Sequence, residues 1–420
     1  MNTVDTVVIG GGHAGLAVSR LLTEAGRDHV VLDRGEIAER WRTERWDSLH
    51  LLTPNWLARL PGWYHGGADL DGFMSASRFV SYLERYAESF AAPVLAGTTV
   101  QELVESGSAY RLVTDHGTWH ARHVIIATGP HGAPYLPSGL DATQVLTANR
   151  YRNPDQLTPG GVLVIGASSS GVQIADELNR VGRDVFLSVG RHTRMPRNYR
   201  GMDIFWWLES TGRLARTVDE VADPAAARRE PSMQLVGQRG QTRPRDIDLV
   251  SLQANGVRLL GRFDGLDRGR ARFRPDLSDV VGAADEQLYR VLDSIDEHIA
   301  QAGLTREVWP AHRPPRLQIR RQERVLDLSR ERIGTVLVAA GYRPDYPWLR
   351  LPITAADGSI RQYRGVTPAP GVYVVGQRFQ HRRDSGFIDG ARYDAQTVVR
   401  HLLTGSTTVG SDEQSQEPAA

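Results

Sequence analysis

The stretch TVVIGGGHAG, Thr6 to Gly15, decides how the rest of the chain is read. Val7, Val8 and Ile9 are the short apolar run of a buried strand. They meet Gly10, Gly12 and Gly15 at G-x-G-x-x-G spacing, with the helix-forming text LAVSRLLTEAG directly behind. In such a unit the first glycine permits a tight turn, the second lets the backbone come close to a pyrophosphate, and the third lets the helix pack on the strand. The unpaired amides at the helix N-terminus face the anion. A second apolar strand, His29 to Leu32, ends in Asp33, placed to accept hydrogen bonds from the ribose hydroxyls of an adenosine. A bare glycine pattern is often only a loop. Strand, turn, helix, strand and acid in this order predict a bound dinucleotide, with His13 and Ala14 in the turn and Arg34 beside the acid.

A chain of 420 residues has room for two or three domains. Its 50 basic and 49 acidic residues leave a net charge of +1, which gives no whole-protein pull toward nucleic acid or an anionic membrane. All the basic residues are arginine, so lysine-based covalent chemistry is excluded. Cysteine is absent, which excludes disulfides, thiolate metal sites and any C-x-x-C redox pair. No secretory leader precedes the first strand, and no stretch approaches the roughly 20 apolar residues of a membrane span. The expectation is a cytoplasmic protein without nucleic-acid or membrane partners and without a metal, with homo-oligomer formation left open.

After Asp33 comes WRTERWDSLHLLTPN, Trp41 to Asn55, punctuated as loop by Pro54 and by Pro61-Gly62. It reads either as a packed surface excursion or as a loop lying along the bound cofactor, with Arg42 near phosphates or ring and Thr53 to Asn55 near the ring. Phe79, Tyr82, Leu83 and Tyr86 recur at helical spacing and predict a helix over 78–90. Val94 and the run to Val100 suggest a strand whose backbone reaches the adenine. A hairpin turning at Gly117 leads into the buried strand HVIIATG, which ends in Thr128 and Gly129.

The pattern then restarts. Gly161 to Ile165 is an apolar strand, Gly166-Ala167-Ser168-Ser169-Ser170-Gly171 is a second glycine turn, and a helix and a strand, Val185 to Val189, follow. This strand runs into Gly190-Arg191-His192-Thr193-Arg194, where no carboxylate stands. Guanidinium groups bind phosphate in a fork, so Arg191 and Arg194 point to an adenosine 2′-phosphate and to NADPH over NADH. Solvation of a loop is the plainer account of the same arginines. Met202 to Leu208 is strongly apolar and reads as core or as the lining of a substrate channel, and 219–246 reads as an exposed insertion. Further on, 256–262 is a predicted strand and 284–300 a predicted helix. Near the end AAGYRPD echoes the earlier ATG, and GVYVVGQ, Gly371 to Gln377, is a last strand before a helix over 391–403 whose positive end suits a reduced flavin.

In this order GGGHAG, WR..RWDSLHLLTP, ATG, GASSSG, AAGYRPD and GVYVVG resemble the class B flavin-dependent monooxygenases, a group that includes flavin-containing monooxygenases and plant indole-pyruvate monooxygenases. The resemblance spans about Val4 to Leu403. It implies an α/β fold of two dinucleotide-binding Rossmann-like domains, with the NADP domain inserted into the FAD domain. The expected boundaries are 1–157 and 333–404 for the FAD domain, 158–332 for the NADP domain with a variable segment, and 405–420 for a disordered tail.

Carried over to matching positions, Gly10, Gly12, His13, Ala14, Gly15, Asp33, Arg34, Trp41, Arg42, Val100, Thr128, Gly129, Gly376 and Gln377 would hold FAD. Gly166, Ser168, Ser169, Ser170, Gly171, Arg191 and Arg194 would hold NADPH. Asn55 and Thr53 are the candidate catalytic residues, and Arg378 and His381 are candidates for the flavin surroundings. The implied reaction passes hydride from NADPH to FAD and oxygen from a C4a-peroxyflavin to a small organic substrate, with molecular oxygen as co-substrate. The chain departs from the family at Thr147, where a histidine is usual four residues before Tyr151, at Glu39-Arg40, usually Gly-Gly, and at Ala340, usually Thr. The rival reading is an NADPH-dependent flavin reductase or oxidase that oxygenates nothing. A non-enzymatic nucleotide sensor is a more distant one.

Overall fold

The computed structural model describes residues 2–141, 145–234, 247–319 and 322–405. The expected tail over 405–420 lies, past Gly405, outside the described residues, as do residues 235–246 of the expected insertion.

The first sheet is built around β1 (Asn2–Ile9). The α1 helix (His13–Glu24) follows it, and β2 (His29–Leu32) pairs with β1 in parallel, Ile9 opposite Leu32. A short α2 (Glu39–Thr43) and α3 (Ala76–Glu88) come next, and β3 (Val94–Leu95) extends the sheet beyond β2. On the other side of β1, β4 (Val100–Ser106), β5 (Ala109–Thr114) and β6 (Gly117–Ile126) form a meander in which β6 runs parallel to β1. β6 is long enough to use two partners on its far side. Residues 117–121 pair with β5, and residues 124–126 pair with a strand that arrives some 250 residues later.

The chain leaves this sheet through β7 (Ala133–Pro134) and enters a second one at β8 (Leu146–Thr147). There β9 (Gly161–Ile165), α4 (Ser169–Arg180) and β10 (Val185–Ser188) repeat the opening unit, Ile165 lying opposite Ser188. Short pieces follow: β11 (Thr193–Arg194), β12 (Asn198–Tyr199), β13 (Met202–Asp203), α5 (Ile204–Ser210), α6 (Pro224–Arg228), β14 (Met233–Gln234) and α7 (Leu249–Ala254). The edge strand β15 (Arg258–Leu260) pairs with β10. An antiparallel flap joins β16 (Phe263–Asp267), β17 (Arg270–Phe273) and β18 (Val325–Asp327), and the long α8 (Leu277–Gln301) lies between its second and third strands in the chain.

The expected return to the first domain at residue 333 comes later than the sequence suggests. β19 (Ile333–Val338) pairs in parallel with β9 and β8, so the second sheet, ordered β15-β10-β9-β19-β8, claims residues 146–147 and 333–338. The physical reason is that β19 is to β9 what β6 is to β1, the parallel neighbour on the side away from the second strand. The chain goes back through β20 (Tyr342–Arg343), which pairs antiparallel with β7, to β21 (Val372–Val374) against β6, and ends in α9 (Ile388–Thr404).

The parallel strands of the two large sheets are buried on both faces. The α1, α3 and α9 helices cover one face of the first sheet, and α4 and α7 cover one face of the second. A separate core unites Leu57 with Tyr199, Phe205, Trp207, Leu288 and Leu292. In the aromatic run at 202–208, Phe205 and Trp207 are almost fully buried as core packing, Trp206 is half-buried and Met202 is exposed. No helix among the described residues is long and apolar enough to cross a membrane.

Candidate active site

The two glycine turns have the same construction. At Gly10, φ is +113°, and a Cβ would stand 2.6 Å from the Ala127 carbonyl oxygen; at Gly166, φ is +109°, and the same contact, to Ala339, is 2.5 Å. Gly15 and Gly171 lie directly on the carbonyls of Gly10 and Gly166. Side chains at these positions would push the helix off the strand that precedes it.

The middle position differs in purpose. A Cβ on Gly12 would meet nothing within 4 Å, so the space above the first turn is open. Gly12 is also the N-cap of α1 and has no side-chain cap, and Ser168 caps α4 without a side-chain hydrogen bond. Both helix starts thus present amides unclaimed by capping side chains, as an anion requires.

The first turn opens into a cleft of about 370 Å³ lined by Gly10, Gly12, His13, Ala14 and Asp33. Asp33 is buried, and its Oδ2 accepts from the Gly11 amide at 2.6 Å and its Oδ1 from Gly35 at 3.0 Å. Burial raises its carboxyl above the usual range, while the two amides oppose the rise. A carboxylate fixed in this way keeps lone pairs for ribose hydroxyls. Arg34, Trp41, Val100, Thr128, Gly129 and Gly376 also line the cleft; Gln377 is not in the lining, and its Nε2 donates to the Gly129 carbonyl at 3.4 Å.

Arg42 is not among these residues, which corrects the expectation for it. Its Nε donates to the Ile37 carbonyl at 3.0 Å and its Nη2 pairs with Glu84 on α3. Two residues along α2 turn a side chain through about 200°, so Arg40 reaches the cleft where Arg42 does not, and Arg45, just past the helix, also lines it. Arg40 donates to the His131 carbonyl, and Arg45 lies 5.1 Å over the Trp41 ring. Sequence reading missed both, together with His131, Tyr346 and Trp348 on the cleft wall. The family spacing around Trp41 signalled the region and could not choose between its arginines; nothing local marks 346–348, which the return chain brings to the site.

The cleft lining sets Arg34, Arg40 and Arg45 beside Asp33, Glu39 and Asp345, and its histidines are uncharged. Burial pushes His13 down to about 4, and its Nε2 has no partner. His131 is pushed down to about 3 by burial first, then by Arg45, Arg40, Arg378 and His13. Both imidazoles are neutral at neutral pH, so the positive charge belongs to arginine. An open turn, uncapped amides, an acid at the ribose position, an unpartnered His13 nitrogen and three arginines together fit the pyrophosphate and ribose of FAD.

In the second site the register makes Val189 the equivalent of Asp33, since Gly166 donates to the Ser188 carbonyl as Gly10 donates to Leu32. The residue at the ribose position of this unit is thus not a carboxylate. Gly166, Ser169, Ser170 and Gly171 form the turn and first helical residues. Arg191 is exposed, and its Nη2 donates to the Arg229 carbonyl at 2.8 Å.

Arg194 is a second correction. It is buried between Asp248 and Asp285, at 2.7 and 2.6 Å, and two carboxylates consume its charge. A guanidinium held this way is unavailable to a phosphate. The partners lie 54 and 91 residues away, out of reach of any local pattern.

Asn55 is buried near the junction of the first unit with α5 and α8. Its Nδ2 donates to the Asp69 carbonyl at 2.8 Å, and its Oδ1 has no partner. Thr53 is half-buried beside it. Neither belongs to the lining of the first cleft. Arg378 packs against Gly386 at the cleft edge, and His381 is half-buried with Nδ1 unpartnered. The α9 helix begins just after Gly386, uncapped by any side chain.

Residues 7–202 match the pyridine nucleotide-disulphide oxidoreductase family. An uncharacterized CzcO-like oxidoreductase of Geobacillus kaustophilus is 29% identical over 95% of this chain and 98% of its own. Indole-3-pyruvate monooxygenase YUCCA1 of Oryza sativa is 26% identical over 88% and 86%. Among solved structures, a flavin-containing monooxygenase from Stenotrophomonas maltophilia shares the fold at a TM-score of 0.65 with 20% identity, over 96% of this chain and 99% of that one.

Proposed function

We propose that this chain, whose residues 7–202 match the pyridine nucleotide-disulphide oxidoreductase family, is an FAD- and NADPH-dependent monooxygenase acting on a small organic substrate. The observation that carries the two-cofactor reading is the duplication of the glycine turn in one chain, with Asp33 at the ribose position of one copy and Val189 followed by Arg191 at the other. The chain has no cysteine, so the disulphide chemistry in the family's name is closed to it. The likeness to a plant indole-3-pyruvate monooxygenase over most of both chains supports oxygenation.

Bound FAD supplies hydride acceptance and oxygen activation. The chain supplies the rest. Gly12 and the α1 amides would take the pyrophosphate, Asp33 would orient the adenosine, and Arg40, Arg45 and Arg378 would contribute a positive field toward a reduced ring. The start of α9 adds its dipole to the same field. Ser168 to Ser170 and Arg191 hold the donor nucleotide. Asn55, with a carboxamide oxygen that has no partner, and Thr53 would orient the reacting groups from outside the lining of the first cleft. Packing around Leu57 and Phe205 keeps water from that side.

The test is stoichiometric. With FAD loaded and a substrate panel present, NADPH oxidation should be matched by oxygen uptake and by products heavier by one oxygen atom. Equimolar hydrogen peroxide with every substrate would favour the second reading, a reductase or oxidase. A specific observation motivates that reading: Thr147 donates to Asn149 Oδ1 at 2.7 Å, at the position where the resemblance to class B flavin-dependent monooxygenases leads one to expect a histidine.

A further inference from the structure

Arg229 and Glu230 are consecutive, and their carbonyl oxygens hold arginines that belong to different nucleotide sites. The Arg229 carbonyl accepts from Arg191, just past β10 in the second site. The Glu230 carbonyl accepts from Arg378, at the edge of the first cleft. A peptide that spans two sites in this way must itself be fixed, and the Glu230 side chain fixes it. Its Oε2 pairs with Arg383 at 2.5 Å, and its Oε1 accepts from Gln287 on α8 at 2.7 Å. Next to it, Arg228 Nε donates to the Phe379 carbonyl at 3.2 Å. A backbone seam continues the join, with Val218 donating to His381 and Arg383 to Arg216 at 2.8 and 2.9 Å.

We propose that Glu230 is a positioning residue that holds Arg191 in place for the 2′-phosphate of the donor nucleotide. This rests on the reading of Arg191 as the arginine that takes the 2′-phosphate. Arg191 is exposed and forms no ion pair among the described residues, so its orientation depends on the Arg229 carbonyl. That carbonyl moves if the charge-assisted bonds of Glu230 are lost. The consequence is selective: weaker use of NADPH with use of NADH little changed, because NADH lacks the phosphate.

The experiment compares kcat/KM for NADPH and NADH in FAD-loaded wild type, Glu230→Ala, Glu230→Gln, Arg191→Ala and the Glu230→Ala/Arg191→Ala double variant. Arg191→Ala should abolish most of the NADPH preference. Glu230→Ala should lower the preference about five-fold, chiefly through the KM for NADPH, Glu230→Gln should lower it less, and the double variant should match Arg191→Ala alone. If Arg191→Ala loses the preference while both Glu230 variants keep it, or lose both nucleotides equally, the proposal for Glu230 fails by itself. An unchanged preference in Arg191→Ala overturns the reading of Arg191 and this proposal with it. Should Glu230→Ala not fold, the nearly isosteric Glu230→Gln carries the comparison.

Discussion

Gly15 stands so close over Gly10 that a Cβ on it would lie 1.9 Å from the Gly10 carbonyl oxygen, and Gly171 repeats the relationship over Gly166 at 1.8 Å. Two equal contacts predict two separable failures. Gly15→Ala should yield protein that holds little flavin. Gly171→Ala should keep its flavin and accept electrons from dithionite, yet be reduced by NADPH about tenfold more slowly or worse, since overpacking of this kind costs about 1–3 kcal/mol. Flavin absorbance per protein and anaerobic bleaching rates read the two effects.

Arg191 and Arg194 are three residues apart and should behave in opposite ways. Arg194→Ala leaves Asp248 and Asp285 buried without their cation and is expected to cost about 3–5 kcal/mol of stability. Arg191→Ala removes an exposed side chain and should leave thermal unfolding nearly unchanged while altering nucleotide preference. Thermal melts of both variants, with and without NADP⁺, check this. Similar melts for the two would contradict it.

Asp394 on α9 is fully buried, and burial raises its carboxyl to about 7. Asp384 nearby adds to the rise, and Ser385 and Arg382 oppose it. The folded state therefore keeps a proton that the unfolded chain loses above about 4. Its stabilising effect is complete below that pH and is lost as pH climbs through about 7. Asp394→Asn should raise the melting temperature at pH 8 by a few degrees, with the gain shrinking toward pH 5. A gain independent of pH would contradict the assignment.

Asn55 is held by its amide nitrogen and its backbone, which leaves the carboxamide oxygen free. If that oxygen orients a group near the reacting ring, Asn55→Ala should pass several-fold more of the consumed oxygen to hydrogen peroxide while flavin content holds. Peroxide release per NADPH oxidised is the measurement. An unchanged ratio rejects the role.

The sequence by itself determined the two nucleotide units. Glycine spacing, apolar strands and the contrast between Asp33 and the arginine-rich text after β10 are written within some thirty residues each, because they follow from backbone clearance and local periodicity. Only the tertiary structure decided which arginines are free. Arg42 pairs with Glu84 across the α2–α3 contact and Arg194 with carboxylates on distant elements, whereas Arg40 and Arg45 turn to the cleft. The same is true of β19, whose apolar run suits either sheet until its pairing with β9 is seen. A charge is cancelled, and a strand is claimed, by whatever stands beside it in space, and that neighbour is set by how the two units close on each other.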